Sequence, residues 1–275
     1  MFDYQKQFNA IKNNQQALDS YFSNMQNFVT PGYKSSNVTF QELINQSLGT
    51  GIGAMSQHVN ISFSQGPVQK TGLPTDLALN GNGFFVLWDG HKQHYTRAGR
   101  FGFKDGKLID PTTGMAVQGY ALNESGNPSS KKLSDIDLQF DPVTKLYGGK
   151  YTGFKFDDGG KLYGETRVTD PLTMQTTSTV VPVFQVGVAS FANPGGLTRS
   201  GTTTFAASLL SGEAVVGVSG EGALANVSAQ SLEMSNISLA EEVQKIMLAR
   251  QNYEANFAAF RSMDKMTETA IGLIR

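Results

Sequence analysis

Cysteine is absent from all 275 residues, which excludes disulfides, thiolate metal sites and cysteine nucleophiles together. Histidine is nearly as scarce, so an imidazole base or ligand can come only from His58, His91 or His94. Neither sign of charge is in excess. The 22 Lys and Arg residues face 23 Asp and Glu, for a net charge of -1, and no global field draws the chain to nucleic acid or to an anionic membrane. No run approaches the roughly 20 apolar residues of a spanning helix, so membrane insertion is not expected. The opening MFDYQKQFNA has neither the basic start nor the apolar core of a cleaved secretion signal. The expectation is therefore residence in the cytoplasm or export by a route that reads no such signal.

Glycine, by contrast, is plentiful at 30 residues, and two stretches imitate nucleotide-binding loops. In DLALNGNGFFVL, Asp76 to Leu87, the pair Gly81 and Gly83 is followed by Phe84, Phe85, Val86 and Leu87. That aromatic and β-branched run favours a strand and cannot supply the helix N-terminus a pyrophosphate needs. The expectation is a tight connection between strands, with Asn80-Gly81 providing the positive φ of a primed hairpin turn. Gly220-Glu221-Gly222-Ala223-Leu224-Ala225 fits the relaxed fingerprint better, following AVVGV. It fails on context, because the middle of the chain has no helices to build a doubly wound fold. Gly217-Val218-Ser219-Gly220-Glu221 ends in glutamate where a nucleophile elbow needs glycine.

His91 and His94 are the one close histidine pair, but they follow Asp89-Gly90 and precede a strand-like run, as a solvated hairpin tip would. Asp135, Asp137 and Asp141 alternate with Ile136, Leu138 and Phe140, so they form the wet face of a strand and not a calcium loop. No acid, base and nucleophile come together, and no cofactor, metal or small-molecule substrate is expected.

The hydrophobic periodicity changes along the chain. Tyr4, Phe8, Ile11, Gln15, Leu18, Phe22, Met25 and Val29 recur at alternating steps of four and three, a heptad seam on a helix. Thr30-Pro31-Gly32 ends it. The same spacing returns at Leu239, Val243, Ile246, Arg250, Tyr253, Phe257, Phe260, Asp264, Thr267, Ile271 and Ile274, and Met247, Met263 and Met266 widen that stripe beyond what one partner helix covers. Between the seams lie strand candidates at 59–63, 84–88, 107–109, 116–120, 134–141, 151–156, 180–190 and 214–218. The fold expected is mainly β, with antiparallel β structure in the middle and long terminal α-helices. The domain plan is a helical part at 1–30 and 232–275, connecting segments at 31–72 and 205–231, and a central β domain at 73–204.

These residues resemble the bacterial flagellar hook and basal-body rod proteins. SNMQNFVTPGYKSS places Asn24, Asn27, Thr30, Gly32, Tyr33 and Lys34 in that family's helix-end signature. Ser23, Gln26 and Val29 depart from it. FSQGPVQKTGLPTDLALNGNGFFVL, YTRAGRF, DGKLID and AVQGY follow in family order, with Gly81, Gly83, Phe84 and Phe85 in the second glycine block. VASFANPGGL and LEMSNISLAEEVQKIMLARQNYEANFAAF complete the likeness, with Asn236 and Asn256 matching and Asn252 replacing the usual arginine.

The resemblance implies a non-catalytic subunit of the flagellar axial tube. Its terminal helices would pair as a coiled coil and assemble through Tyr4, Phe8, Ile11, Leu18, Phe22, Met25, Leu239, Val243, Ile246, Tyr253, Phe257 and Phe260. It further implies export by the flagellar type III apparatus, with copies of the chain and other axial proteins as partners. Rod and hook share these motifs, so the subtype stays open. A second class of function also stays open from the residues alone: an extracellular β-rich carbohydrate- or metal-binding module, or a hydrolase.

Overall fold

A computed structural model describes the chain except residues 1–3, 46–49, 124, 131, 142–143, 145, 148–150, 170–175, 223 and 274–275. Among the described residues there are two long helices, and every strand pairing is antiparallel. The chain divides into two compact units, one of 1–29, 34–63 and 237–275, the other of 30–33 and 64–236.

The first unit holds helix α1 (Tyr4–Gln26), helix α2 (Leu239–Gly272) and the hairpin strands β1 (Ser36–Asn45) and β2 (Thr50–Ile61). α1 contains neither proline nor glycine, so nothing interrupts its backbone ladder. At its end the Asn27 side chain donates to the Ser23 carbonyl at 2.8 Å, satisfying one of the acceptors that a helix C-terminus leaves over. α2 starts behind Ser238 with Glu241 and Glu242 in its first turn, where the helix dipole favours negative charge. The two helices pack on each other, and α1 also packs on β1 and β2.

The second unit is built on a sheet whose strands run in the order Gly153–Phe156, Lys161–Thr169, Thr176–Ser190, Ala116–Ala121, Phe84–Trp88, Gln93–Thr96, Thr204–Ala206 and Thr198–Arg199. Its core gathers Leu77, Leu79, Phe85, Leu87, Leu108, Val117, Ile136, Val186 and Val188. The long strand carries Pro182 at an irregularity, since the register with its neighbour shifts between Leu162 and Tyr163. A bulge is where a sheet tolerates the missing donor of a proline.

Three local expectations need correction. The stretch 134–141 is not one strand. Ser134–Asp135 pairs with Ala116–Ala121, Phe140–Asp141 pairs with Leu146–Tyr147, and Gln139 between them has φ +44. Ile136 and Leu138 are buried as the alternation required. Asn80-Gly81 is not a hairpin turn either, because Leu77–Asn80 pairs with Asn226–Ala229 while Phe84–Trp88 pairs elsewhere. Gly81 does take a positive φ of +101°, which suits glycine. A Cβ on Gly83 would stand 2.9 Å from Val188 Cγ1, so packing demands that glycine. The third correction concerns His94. The hairpin between Phe84–Trp88 and Gln93–Thr96 is present, and His91 is exposed at its tip, but the His94 ring is buried with Nε2 3.0 Å from Asp89 Oδ2.

Candidate assembly faces

In the first unit α1 and α2 meet at a buried polar node. Asn24 and Glu242 are both buried, and Asn24 Nδ2 donates to Glu242 Oε2 at 3.2 Å and to the Ser36 carbonyl at 2.8 Å. The Ser36 N–H returns a bond to Asn24 Oδ1 at 3.0 Å. Lys245 Nζ closes the network, 2.8 Å from Glu242 Oε1 and 3.2 Å from Asn37 Oδ1, and it lies 5.9 Å from the Tyr21 ring centroid. Every group at the node therefore has a partner, as a buried charge requires.

The node also fixes direction. Stepping back three residues from Asn24 to Tyr21 steps forward three from Glu242 to Lys245, so the helices run antiparallel. The same register sets the two buried alanines, Ala17 and Ala249, level with each other. Small residues there let the backbones approach.

Against this register the heptad positions fall into two sets. Ile11, Leu18 and Met25 on α1 and Ile246, Tyr253, Phe260 and Thr267 on α2 are half-buried, flanking the packed line of Ala17, Asn24, Glu242, Ala249, Asn256 and Met263. Phe8, Gln15, Phe22 and Val29 on the one side, and Leu239, Val243, Arg250, Phe257, Asp264 and Ile271 on the other, are exposed. Of the flanking methionines, Met247 and Met266 are exposed and Met263 is half-buried. Each helix thus turns half of its seam to its partner and the other half to solvent. The side chain of Tyr4 and residue Ile274 lie outside the described residues.

The remaining motif residues belong to packing. In the second unit Glu233 is fully buried and gathers three distant segments. Arg97 Nη1 donates to Glu233 Oε2 at 3.2 Å, the Gly66 N–H to Oε1 at 2.9 Å, and the Gly32 N–H to the Glu233 carbonyl at 2.7 Å. Burial lowers the Arg97 pKa, and the Glu233 carboxylate opposes that shift. The Arg97 guanidinium stands 5.3 Å from the Phe84 ring centroid, and Arg199 stands 4.8 Å from that of Tyr33, both within cation-π range. Gly32 has φ +69 and no room for a Cβ, which would fall 2.2 Å from Ala98 N. Asn236 Nδ2 donates to Ser64 Oγ at 3.0 Å, Phe85 lies in the core, and Lys34 is buried. Thr30 accepts the Tyr33 N–H at 3.3 Å across the Pro31-Gly32 turn.

Sequence reasoning singled out the motif blocks but not the charges that anchor them, Arg97, Glu233 and Glu242. The signal was an acidic or basic residue fixed inside an apolar block, which spacing alone cannot distinguish from a surface charge.

Among the described residues no group of three His, Cys, Asp or Glu side chains is placed to hold a metal ion. Asp135 and Asp137 each lie 3.9 Å from Lys107 Nζ, and Gln118 Nε2 donates to Asp135. A cavity of about 730 Å³ is lined by Trp88, Gln118, Tyr120, Ser134 and Asp135 among others.

Two helices with divided faces in the one unit, and buried polar groups that serve packing in the other, are the features of a structural protein. Residues 228–273 match the family model described as flagellar basal body rod FlgEFG protein C-terminal. The chain is 27% identical to the flagellar basal-body rod protein FlgG of Bacillus subtilis (strain 168), over 97% of this chain and 96% of that protein. It is 27% identical to FlgG of Borreliella burgdorferi, over 94% and 93%. The flagellar hook protein FlgE of Salmonella typhimurium aligns at 21% identity over 93% of this chain and 96% of its own. The chain thus carries the C-terminal domain of that family and is similar over most of its length to flagellar rod and hook proteins. The alternative of a carbohydrate- or metal-binding module or hydrolase finds no support in these relatives, which are curated as rod and hook proteins.

Proposed function

We propose that this chain is a structural subunit of the bacterial flagellar axial tube, in the rod or the hook, and that it assembles through its terminal helices to serve motility. The observation that carries this reading is the second apolar stripe on each helix. Phe8 and Phe22 on α1 with Val29 just past its end, and Val243, Phe257 and Ile271 on α2, are exposed at heptad spacing, while the opposite faces of the same helices are packed. Seven-residue spacing is how a helix keeps one line of contact with another along its length, so each helix has a further line to give to other copies. Exposed apolar residues gathered in lines mark interaction sites in soluble proteins.

In this reading the α1–α2 pair is a short antiparallel coiled coil. Residues 1–30 and 232–275 form the assembling part, 31–72 and 205–231 connect, and 73–204 make the β body. The partners are copies of the chain and neighbouring axial proteins, and the chain reaches them through the flagellar type III export apparatus, as its family likeness supports. It takes no nucleic acid, membrane, cofactor or small-molecule substrate, and catalyses nothing. Electron microscopy of the purified chain under assembly conditions tests the reading. Ordered tubes from the full chain, and none from a chain lacking residues 1–29, are expected. A full chain that stays a monodisperse monomer under every assembly condition overturns it.

A further inference from the structure

The sheet of the second unit has several edges, and one of them is unguarded. The edge strands Gly153–Phe156, Thr198–Arg199, Gly102–Lys104 and Ser134–Asp135 carry Lys155, Arg199, Lys104 and Asp135, charges of the kind that keep an unpaired edge from joining a further strand. Val215–Val218 pairs with Gly187–Ser190 on one side and carries neither a charge nor a proline. Among the described residues no strand pairs with its other side.

Side chains alternate across a strand, and here both faces border a cavity. Ala214 and Val216 line the cavity of about 730 Å³ together with Trp88, Tyr120 and Leu133. Val215, Val216 and Gly217 line a second cavity, of about 480 Å³, with Phe191, Glu221 and Leu224. A Cβ on Gly217 would fall 3.8 Å from Glu221 Oε2, so the carboxylate lies against the strand in a hollow that is otherwise chiefly apolar. Among the described residues no cation pairs with it. The neighbouring turn is pre-formed: the Ser208 N–H donates to Ser211 Oγ at 2.9 Å, and Asn193 Nδ2, one residue past the cavity lining, donates to the Leu210 carbonyl at 3.0 Å. That turn holds Leu209 and Leu210 out in solvent.

We propose that this edge is a docking site for an extended segment of a separate protein, which adds a strand beside Val215–Val218. An arginine or lysine of the segment enters the Glu221 cavity, and the residue next to it, aromatic or large and apolar, enters the cavity of Trp88 and Tyr120. Consecutive residues of a strand point to opposite faces, so a basic residue beside an aromatic one meets both cavities at once. The occupant follows from charge complementarity, because the apolar stem of a long basic side chain suits Phe191 and Leu224 while its head reaches the carboxylate. In strand addition the main-chain bonds supply affinity and pockets for alternate side chains supply specificity. The contact uses no residue of either helix and stands apart from the assembly reading.

The probe is a fluorescent peptide, Thr-Val-Arg-Phe-Val-Thr, titrated into the full chain and followed by anisotropy. Saturable binding is expected. Of two peptides N-methylated at alternate residues, one in each frame, only one is expected to bind more weakly, by about tenfold or more, because the two frames of a strand turn their N–H groups to opposite sides. Replacing the arginine of the peptide by glutamate should weaken binding to the parent chain by a similar factor, and Glu221→Lys in the protein should reverse that preference. Val215→Lys, at a position 66% exposed, should leave thermal unfolding within a degree or two and abolish binding. Absence of saturable binding, equal binding in both N-methylated frames, or an unchanged preference in Glu221→Lys overturns the proposal. A Val215→Lys chain that binds the peptide as the parent does but loses association with its own copies assigns the edge to a contact between copies, and overturns it as well.

Discussion

Arg97 and Glu233 stand 136 positions apart in the chain and meet at 3.2 Å with both side chains withdrawn from solvent. The carboxylate is held on its other oxygen by the Gly66 N–H, and the residue's carbonyl takes the Gly32 N–H. The blocks SQGP, TRAG, LEMS and TPGY are thus tied at one residue.

Glu233→Gln therefore leaves Arg97 buried without its counter-charge. Breaking a buried pair by removing one partner costs about 3 to 5 kcal/mol, and denaturant unfolding followed by the single tryptophan, Trp88 in the second unit, should show a loss of that size. The double change Arg97→Met with Glu233→Met should recover part of it, because the guanidinium is then no longer left buried without its carboxylate.

Asn24→Leu tests the polar node between the helices. It removes the acceptor of the Ser36 N–H and a donor to Glu242, and an unsatisfied buried polar group costs about 1 to 3 kcal/mol. Hydrogen exchange should quicken across α1 and the first turns of α2 while the strands of the second unit keep their protection. Equal quickening in both units would contradict the node's local role.

Much of the fold was legible because it rests on short-range patterns. The strands at 84–88 and 107–109 and the start of α2 at Leu239 lie where alternation, turn residues and heptad spacing put them. The division of the heptad seam was not legible. Spacing says that Ile11, Leu18, Phe22 and Met25 share a side of α1, but not how wide a strip one partner covers; Ala17 and Asn24 line the contact while Phe8 and Phe22 stay in water. His94 escaped for a similar reason, since its burial depends on which face of the hairpin meets the core and on the Asp89 carboxylate five residues away.

Asp89 also sets a pH dependence. Its carboxylate accepts the backbone N–H groups of Lys92 and His91, each at 2.7 Å, and lies 3.0 Å from His94 Nε2. These bonds, the backbone pair foremost, hold its folded pKa well below the ordinary carboxylate range. Because the folded value lies below the unfolded one, the stabilisation is complete above about pH 4, the unfolded carboxylate value, and is lost as pH falls toward the folded value. Asp89→Asn should lower the melting temperature at pH 6, and its gap from the parent chain should narrow steadily below about pH 4. A gap that stays constant to pH 2 would contradict this assignment.

The central claim is that the exposed halves of the two seams serve assembly and not the monomer fold. Phe22→Asp and Phe257→Asp place a carboxylate on each exposed stripe, and surface changes of this kind usually shift monomer stability by no more than about 0.5 kcal/mol. In a helix contact the same carboxylate would be buried and unpaired, at a cost of several kcal/mol. The direct measurement is electron microscopy of the two variants beside the parent chain, with monomer melting recorded on the same samples. The account predicts tubes from the parent, none from either variant, and melting temperatures that agree. Tubes from both variants would contradict it.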